Sequence, residues 1–319
     1  MELSPKLVRQ CMIWLVIGIA LYGLAVIVSG ADNIRSSLAQ IGWGGWAAIL
    51  GLSTLNFVLR FGRWHYYLLT LKHRVPVARN LQYFLAGFAF TSTPAKAGEA
   101  VRSLYLKRDG VGYTDSLAAL FVERLTDLVA VILLALAAAY SFENYRWLVL
   151  LAAIITLSLL PLIHSRLLRE QLVRLNQRLP EGAVRKGIDH LLNLVRSSAS
   201  LLRSGPLYGG MVLSMSAAFA VSLMMYVVLL LLGADISMPL AVGIYATGIL
   251  AGALSFLPGG IGSAEAVMIA LLVLAGIDLS TATAATLACR IAALWYSIGV
   301  GIVIVLLLET TSARATENS

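Results

Sequence analysis

The feature that most constrains this chain is a series of long apolar segments. About 20 consecutive apolar residues are enough for a helix to cross the ~30 Å hydrocarbon core of a bilayer. Only helices and closed barrels satisfy their backbone polar groups there, because no water is available. Spanning helices are predicted at residues 11–28, 44–60, 115–139, 147–163, 207–232 and 281–308. The sequence therefore predicts an all-α integral membrane protein with about six spanning helices.

Composition supports a membrane protein and argues against several other classes. The chain is 59% hydrophobic and 13% charged, whereas soluble domains are typically about 25% charged. The net charge of +8 is carried between the apolar segments, and no nucleic-acid-binding motif is present. Neither cysteine has a CxxC or histidine partner, and no hydrolase, metalloprotease, P-loop or dinucleotide motif occurs. We expect no enzyme activity, catalytic residue, metal, cofactor or nucleic-acid partner.

The distribution of basic residues orients the chain. Residues 60–79, interpreted as a loop, hold five basic residues and no acidic one, and residues 164–206 hold eight basic and three acidic residues. The positive-inside rule places both segments in the cytoplasm. The first apolar run is longer than a signal-peptide core, so we interpret it as an uncleaved helix. We expect a multi-pass protein of a bacterial-type inner membrane, with both termini cytoplasmic.

Two shorter apolar runs are interrupted by proline and glycine. Residues 80–93 have basic flanks on both sides. Residues 239–257 and the apolar run that follows them lie between loops 233–238 and 276–280, whose only charged residues are Asp235 and Asp278, and the positive-inside rule places both loops outside. A segment whose two flanks are on one side cannot have crossed the membrane. We therefore predict two re-entrant helical hairpins, at about 80–106 and 239–275, entering from opposite faces. Their predicted tips are Pro94, Gly98, Pro258, Gly259, Gly260 and Gly262.

The sequences around the two predicted hairpins resemble each other. Residues 92–100, STPAKAGEA, and 256–266, FLPGGIGSAEA, both read Pro, then Gly, then Glu-Ala. Glu99 precedes Arg124 by 25 positions, and Glu265 precedes Arg290 by the same 25. Each arginine lies nine residues into its predicted helix, about 13 Å along the axis. This pattern predicts an inverted-topology repeat with a site between the halves.

The repeat divides the chain into four parts. An N-terminal membrane half (1–163) is followed by a basic linker (164–206), a C-terminal membrane half (207–308) and a cytoplasmic tail (309–319). Leucines at helical spacing alternate with arginines in the linker. This pattern fits amphipathic helices on the inner leaflet and fits a soluble helical hairpin equally well.

The ionisable residues within apolar segments are the candidate site. Each charge at the bilayer centre costs about 2.5–3.5 kcal/mol, so these side chains are expected to face the protein interior and pair. Arg124 and Arg290 suit an anionic headgroup, because a guanidinium binds phosphate bidentately and stays protonated. The full candidate substrate-binding set is Glu99, Glu123, Arg124, Asp127, Glu265, Arg290 and Lys96.

The other candidates leave alternatives open. Glu123 and Asp127 share a helix face and could simply tie helices together. Glu99 and Glu265 could cap a half-helix, pair with the arginines, or couple transport to protons. Lys96 could contact phosphate or extend its ammonium to the interface.

Four motifs resemble those of a known family. They are TSTPAKAGEAVRSLYLKR (91–108), FVERLTDLVAV (121–131), FLPGGIGSAEA (256–266) and ATLACRIAALW (285–295). In this order they resemble the transmembrane flippase domain of lysylphosphatidylglycerol synthases and its stand-alone relatives, over about residues 10–308. The resemblance implies a membrane domain that moves a phospholipid-type molecule across the inner membrane. Only ETTSARATENS follows the last helix, so we expect a stand-alone type without the synthase domain.

Three functions follow as hypotheses. The first is a flippase for a phospholipid or polyprenyl-phosphate-type lipid, with an anionic headgroup as its partner. The second is a membrane enzyme that modifies lipid headgroups. The third is a scaffold for a lipid-synthesising enzyme or glycosyltransferase. The sequence does not indicate an oligomeric state.

Overall fold

The computed structural model describes residues 31–91, 99–141, 197–255 and 257–317, with the single positions 147, 154 and 182. The predicted spans 11–28 and 147–163 and most of the linker lie outside the described residues. Within the described ranges all regular structure is helical, which confirms the all-α prediction.

The first half contains five α-helices in its described part. They are α1 (Ala31–Gln40), α2 (Gly42–Thr70), α3 (Val77–Ala86), α4 (Val101–Arg108) and α5 (Tyr113–Ser141). A 3-10 turn, Gly87–Phe90, continues α3. Helix α3 with its turn and helix α4 occupy the region predicted as the first hairpin, and Pro94, Lys96 and Gly98 lie outside the described residues.

The second half repeats the pattern of long helices around a broken pair. Its helices are α6 (Ser204–Leu231), α7 (Met238–Leu254), α8 (Ser263–Leu274), α9 (Leu279–Arg290) and α10 (Tyr296–Glu317). A 3-10 turn, Pro258–Gly260, separates α7 from α8, and a π-helical turn, Ile291–Trp295, joins α9 to α10. Three described segments are long and apolar enough to span a membrane: Gly42–Thr70, Ser204–Leu231 and Leu279–Thr310.

The interpretation of residues 60–79 as a loop is wrong for its first part. Helix α2 continues to Thr70, so Arg60 and Arg63 are helical residues, and Arg63 is fully buried. The helix can carry these charges inward because carboxylates on α5 neutralise them. The basic flank at this end of α2 is reduced to Lys72, Arg74 and Arg79.

Two other boundaries differ from the prediction. Helices α5 and α9 both begin two residues earlier than expected, at Tyr113 and Leu279, so Arg124 and Arg290 remain at equal distances from their helix starts. Residues 309–317, predicted as a tail, continue helix α10.

Helix α9 begins where it does because Asp278 caps it. The Asp278 carboxylate accepts hydrogen bonds from the Ser280 hydroxyl at 2.5 Å and from the Thr281 backbone N–H at 3.0 Å. These bonds lower the pKa of Asp278 to about 2. A depressed pKa means that the stabilisation is present above the carboxyl's ordinary pKa and is lost as the pH falls towards 2.

The two halves pack into each other. Helix α6 of the second half lies against α2 and α5 of the first, and α10 lies against α3 and its 3-10 turn. One apolar core contains Phe57, Phe84 and Phe88 with Leu207. A second contains Ile49 with Met224 and Met268. Helix α2 contributes to both cores, so the halves are held together around it.

The turn between α7 and α8 depends on glycine. Gly260 has a φ of +64°, and a Cβ added to it would lie 2.8 Å from the Gly252 Cα. A Cβ added to Gly248 would likewise clash, because it would lie 2.3 Å from Cγ of Met268. Helices α7 and α8 can therefore pack closely on each other only because these positions carry no side chain.

A close backbone contact also fixes the 3-10 turn after α3. A Cβ on Gly301 of α10 would lie 2.1 Å from the Ala89 backbone nitrogen, whereas one on Gly299 meets nothing within 4 Å. We expect Gly301→Ala to destabilise the protein by about 1–3 kcal/mol through overpacking, measured as a lower thermal unfolding midpoint in detergent. Gly299→Ala, two residues away on the same helix, is the matched control. Equal midpoints for the two variants would contradict this packing.

Candidate functional site

The site is built around Glu123 of helix α5, which is fully buried. Its carboxylate lies 2.9 Å from Arg63 Nη2 and also contacts Arg102 Nη2. Nη2 of Arg60 and Nη2 of Arg124 approach it at 3.8 and 3.6 Å. Four guanidinium groups from α2, α4 and α5 thus converge on one carboxylate.

Arg63 joins three helices through its guanidinium group. Nη1 donates to Asp127 on α5 and to the Ser214 hydroxyl on α6, and lies 3.3 Å from Thr126 Oγ1. A buried charge is tolerated only when it is paired and hydrogen-bonded. Arg63 meets this condition. The residue that the sequence placed in a loop therefore connects helices α2, α5 and α6 in the protein interior.

Arg102 of α4 binds the same carboxylate from another side. Its guanidinium lies 3.7 Å from the centre of the Trp64 ring, close enough for a cation–π interaction. The Trp64 indole donates a hydrogen bond to Asn80 Oδ1 at 3.1 Å. Helix α4 is therefore held to α5 by charge and to α2 by ring stacking.

The two Glu–Arg pairs with equal spacing are both ion pairs. Arg124 Nη2 lies 3.1 Å from Glu99 Oε2, and Arg290 Nε lies 2.5 Å from Glu265 Oε1. Arg124 also reaches Asp127 three residues along its own helix, at 3.5 Å.

Glu265 has a second role at the start of α8. Its Oε2 accepts the Gly262 backbone N–H at 2.7 Å, which caps the helix. Arg290 Nη2 in turn donates to the Gly259 carbonyl at 2.7 Å. Capping and pairing with arginine, which the sequence left as alternatives for Glu265, therefore occur together. The glycine turn, the carboxylate and the arginine form one connected unit.

A cavity of about 440 Å³ lies beside both pairs. Helices of both halves line it, and its charged lining residues are Arg60, Arg124, Asp127 and Arg290. Gly259 and Gly260 of the turn also face it. Most of the remaining wall is apolar: Phe57, Phe88, Leu128, Val131, Val221, Ile249, Leu250, Leu257 and Leu294.

The candidate residues separate into two groups. Arg124, Asp127 and Arg290 line the cavity. Glu99, Glu123 and Glu265 are buried behind it and hold the arginines. Of the predicted hairpin tips, Pro258, Gly259 and Gly260 form the 3-10 turn and Gly262 precedes α8.

Sequence reasoning missed Arg60, Arg63 and Arg102. All three were counted as flanking charges, although Arg63 and Arg102 are almost completely buried. The sequence did contain one signal for these arginines. The first half has three intramembrane carboxylates, and Arg124 alone cannot balance their charge. With these residues the described cluster holds four arginines against Glu99, Glu123 and Asp127, an excess of one positive charge.

These features define a class, a multi-pass helical membrane protein with a buried arginine–carboxylate cluster beside a largely apolar cavity. A family model described as the lysylphosphatidylglycerol synthase TM region matches residues 15–301. The chain belongs to this family, which confirms the resemblance seen in its motifs. Among curated proteins, none matches the chain.

The cluster predicts a large penalty for neutralising its centre. Glu123→Gln keeps the shape of the side chain but leaves Arg63 and Arg102 without their shared anion. Breaking a buried pair in this way typically costs about 3–5 kcal/mol, so we expect a markedly lower unfolding midpoint. The control is Glu309→Gln, which removes a partly buried carboxylate outside the cluster that accepts a hydrogen bond from the Tyr105 hydroxyl at 3.3 Å. A Glu123→Gln midpoint equal to that of the control would show that the cluster does not stabilise the fold.

Proposed function

We propose that the protein is a flippase, which moves a lipid with a phosphate-bearing headgroup across the inner membrane. Candidate cargoes are phospholipids and polyprenyl-phosphate-type lipids. The headgroup enters the cavity and contacts Arg60, Arg124 and Arg290, while the acyl or prenyl tails remain in the bilayer. The observation that carries the proposal is the presence of three arginines on the wall of an otherwise mainly apolar cavity.

The electrostatics of the cavity support an anionic headgroup. The Arg124 side chain retains 29% exposure and the Arg60 side chain retains 13%, although both take part in buried ion pairs. Guanidinium groups bind phosphate oxygens in a bidentate geometry that an ammonium cannot match.

The apolar wall supports an amphiphile rather than a free anion. Leu128 and Leu257 line the cavity and are each 44% exposed on the protein surface. A lipid whose headgroup occupies the cavity would pass its tails over such residues into the surrounding hydrocarbon.

The transport path in this proposal uses the inverted repeat. The α7–turn–α8 segment and the α3–α4 region are re-entrant hairpins from opposite leaflets, and Arg124 and Arg290 lie near the bilayer midplane. Support comes from the equal spacing of the two ion pairs and from the equal distance of each arginine from its helix start. Both termini are cytoplasmic in this arrangement.

A reconstituted transport assay tests the proposal. The full chain is placed in proteoliposomes with headgroup-labelled lipids, and movement between leaflets is followed by chemical quenching. We expect Arg124→Ala combined with Arg290→Ala to slow transport at least about tenfold, because each lost charge-assisted hydrogen bond is worth about 1.5–3 kcal/mol. Arg124→Lys keeps the charge and should show an intermediate rate.

The matched control is Arg79→Ala. Arg79 is an exposed arginine that pairs with Asp109 at 2.6 Å away from the cavity, so its removal should leave transport unchanged. Full-rate transport by the well-folded double variant would remove the proposed role of the two arginines. Recovery of a chemically altered lipid would instead favour an enzyme, and co-purification of a lipid-synthesising enzyme without transport would favour a scaffold.

A further inference from the structure

One end of the helical bundle carries most of the exposed basic residues in the described part of the chain. Helices α2 and α4 end there, and α3, α5 and α6 begin there. The exposed basic residues at this end are Lys72, Arg74, Arg79, Lys107, Arg108 and Arg203, and the acidic residues are Asp109, Asp115 and Glu309. The charged residues described at the opposite end are Asp32, Arg35, Asp235 and Asp278. The bundle therefore has a basic end and an acidic end.

Two segments of the basic end meet at the first turn of α5. His73, in the turn after α2, places Nε2 2.7 Å from Asp115 Oδ2. Lys107, near the end of α4, places Nζ 4.8 Å from the centre of the Tyr113 ring. The turn after α2 and the end of α4 are therefore neighbours. Together they form one surface, called here the basic surface, which consists of Lys72, Arg74, Lys107 and Arg108.

The acidic residues at this end are held by side chains outside the basic surface. Asp115 is held by His73, Asp109 Oδ1 lies 2.6 Å from Arg79 Nη1, and Glu309 accepts a hydrogen bond from the Tyr105 hydroxyl at 3.3 Å. The basic residues also outnumber the acidic ones. The basic surface therefore keeps an excess of positive charge that an external anion can balance.

The length of α2 places the basic surface at the depth of lipid headgroups. Helix α2 has 29 residues and is about 43 Å long, while a bilayer with its headgroups is about 40–45 Å thick. Lys72 follows the end of this helix by two residues. The apolar side chains of Val77, Leu104 and Tyr113 are exposed at the same end. Cations interspersed with exposed apolar side chains are typical of a surface that contacts anionic lipid.

Lys72 has a backbone conformation that usually belongs to glycine. Its φ is +66°, and its N–H donates to the Leu69 carbonyl at 2.9 Å to close α2. Glycine is the preferred residue at such a helix end, because a side chain there is strained. The ammonium is favourable at the negative end of the helix dipole, and it also adds a cation to the basic surface.

We infer that the basic surface binds the headgroups of anionic phospholipids in the adjacent leaflet, at a site separate from the cavity. None of its four residues lines the cavity. The lipid phosphates contact the four cations, and the acyl chains lie along Val77 and Leu104. The bound lipid stays in its leaflet, so this site goes beyond the proposed function and does not depend on transport.

Electron spin resonance of lipids in contact with the protein tests the inference. The full chain is reconstituted in phosphatidylcholine vesicles with a trace of phosphatidylglycerol or phosphatidylcholine that is spin-labelled on its acyl chain. The motionally restricted fraction reports contact with the protein. Averaged over all contacting lipids, we expect wild type to prefer phosphatidylglycerol about two- to fivefold, since one basic residue near the membrane surface contributes a factor of about five. The preference should fall in about 1 M salt, where the Debye length is about 3 Å.

Two variants assign the preference to the basic surface. The combined change Lys72→Gln, Arg74→Gln, Lys107→Gln and Arg108→Gln should lower the preference to about one. Lys72→Gly removes one cation and relieves the strained backbone, so it should lower the preference while the unfolding midpoint stays equal to wild type or rises. Arg35→Gln is the control, because the exposed Arg35 lies at the opposite end, and it should keep the wild-type preference.

The outcomes separate the basic surface from the cavity. A combined variant that folds and keeps the wild-type preference overturns the inference. A preference lost in Arg124→Ala with Arg290→Ala, and kept in the combined variant, would place the anionic lipid in the cavity and support the proposed function instead. Absence of transport with an intact surface preference contradicts the proposed function alone. A wild type that shows no lipid preference but binds a polyglutamate peptide would show that the surface serves an acidic protein partner.

Discussion

The burial of Glu123 among four arginines is the interaction on which the rest of the structure depends. Each of these charges alone would be costly in an apolar environment. Together they neutralise one another almost completely, and their backbones belong to α2, α4 and α5. Since Arg63 also binds Ser214 on α6, the same network connects the two halves. The cluster thus has two roles. It holds the helices together, and it positions Arg60 and Arg124 on the cavity wall.

The second half also pairs its buried charges and places an arginine on the cavity wall, but with fewer charged residues. One carboxylate, Glu265, binds one arginine, Arg290, and caps α8. The glycine turn supplies the remaining acceptor through the Gly259 carbonyl. These contacts explain why a helix-breaking glycine cluster and a carboxylate occur together in an apolar sequence. The turn exposes backbone groups at a place where Glu265 and Arg290 can bind them.

Periodicity and spacing could predict the parts of the fold that depend on local sequence. Helices α2, α5, α6 and α9–α10 follow from apolar length, and the break at Pro258–Gly260 follows from its residues. The equal spacing of Glu99 from Arg124 and of Glu265 from Arg290 pointed to related residues, and the ion pairs they form were one of the alternatives that the sequence left open. The roles of Arg63 and Arg102 could not be predicted in this way. Their burial depends on carboxylates from other helices, and a rule based on flanking charge assigns such residues to loops.

The most direct measurement of the central claim is an experimental density map of the protein in nanodiscs that contain phosphatidylglycerol. The account predicts a lipid headgroup in the cavity, with its phosphate oxygens within hydrogen-bond distance of Arg60 or Arg124 and its tails directed past Leu128 or Leu257. A cavity filled by an acyl chain, with the phosphates confined to the two membrane surfaces, would contradict it.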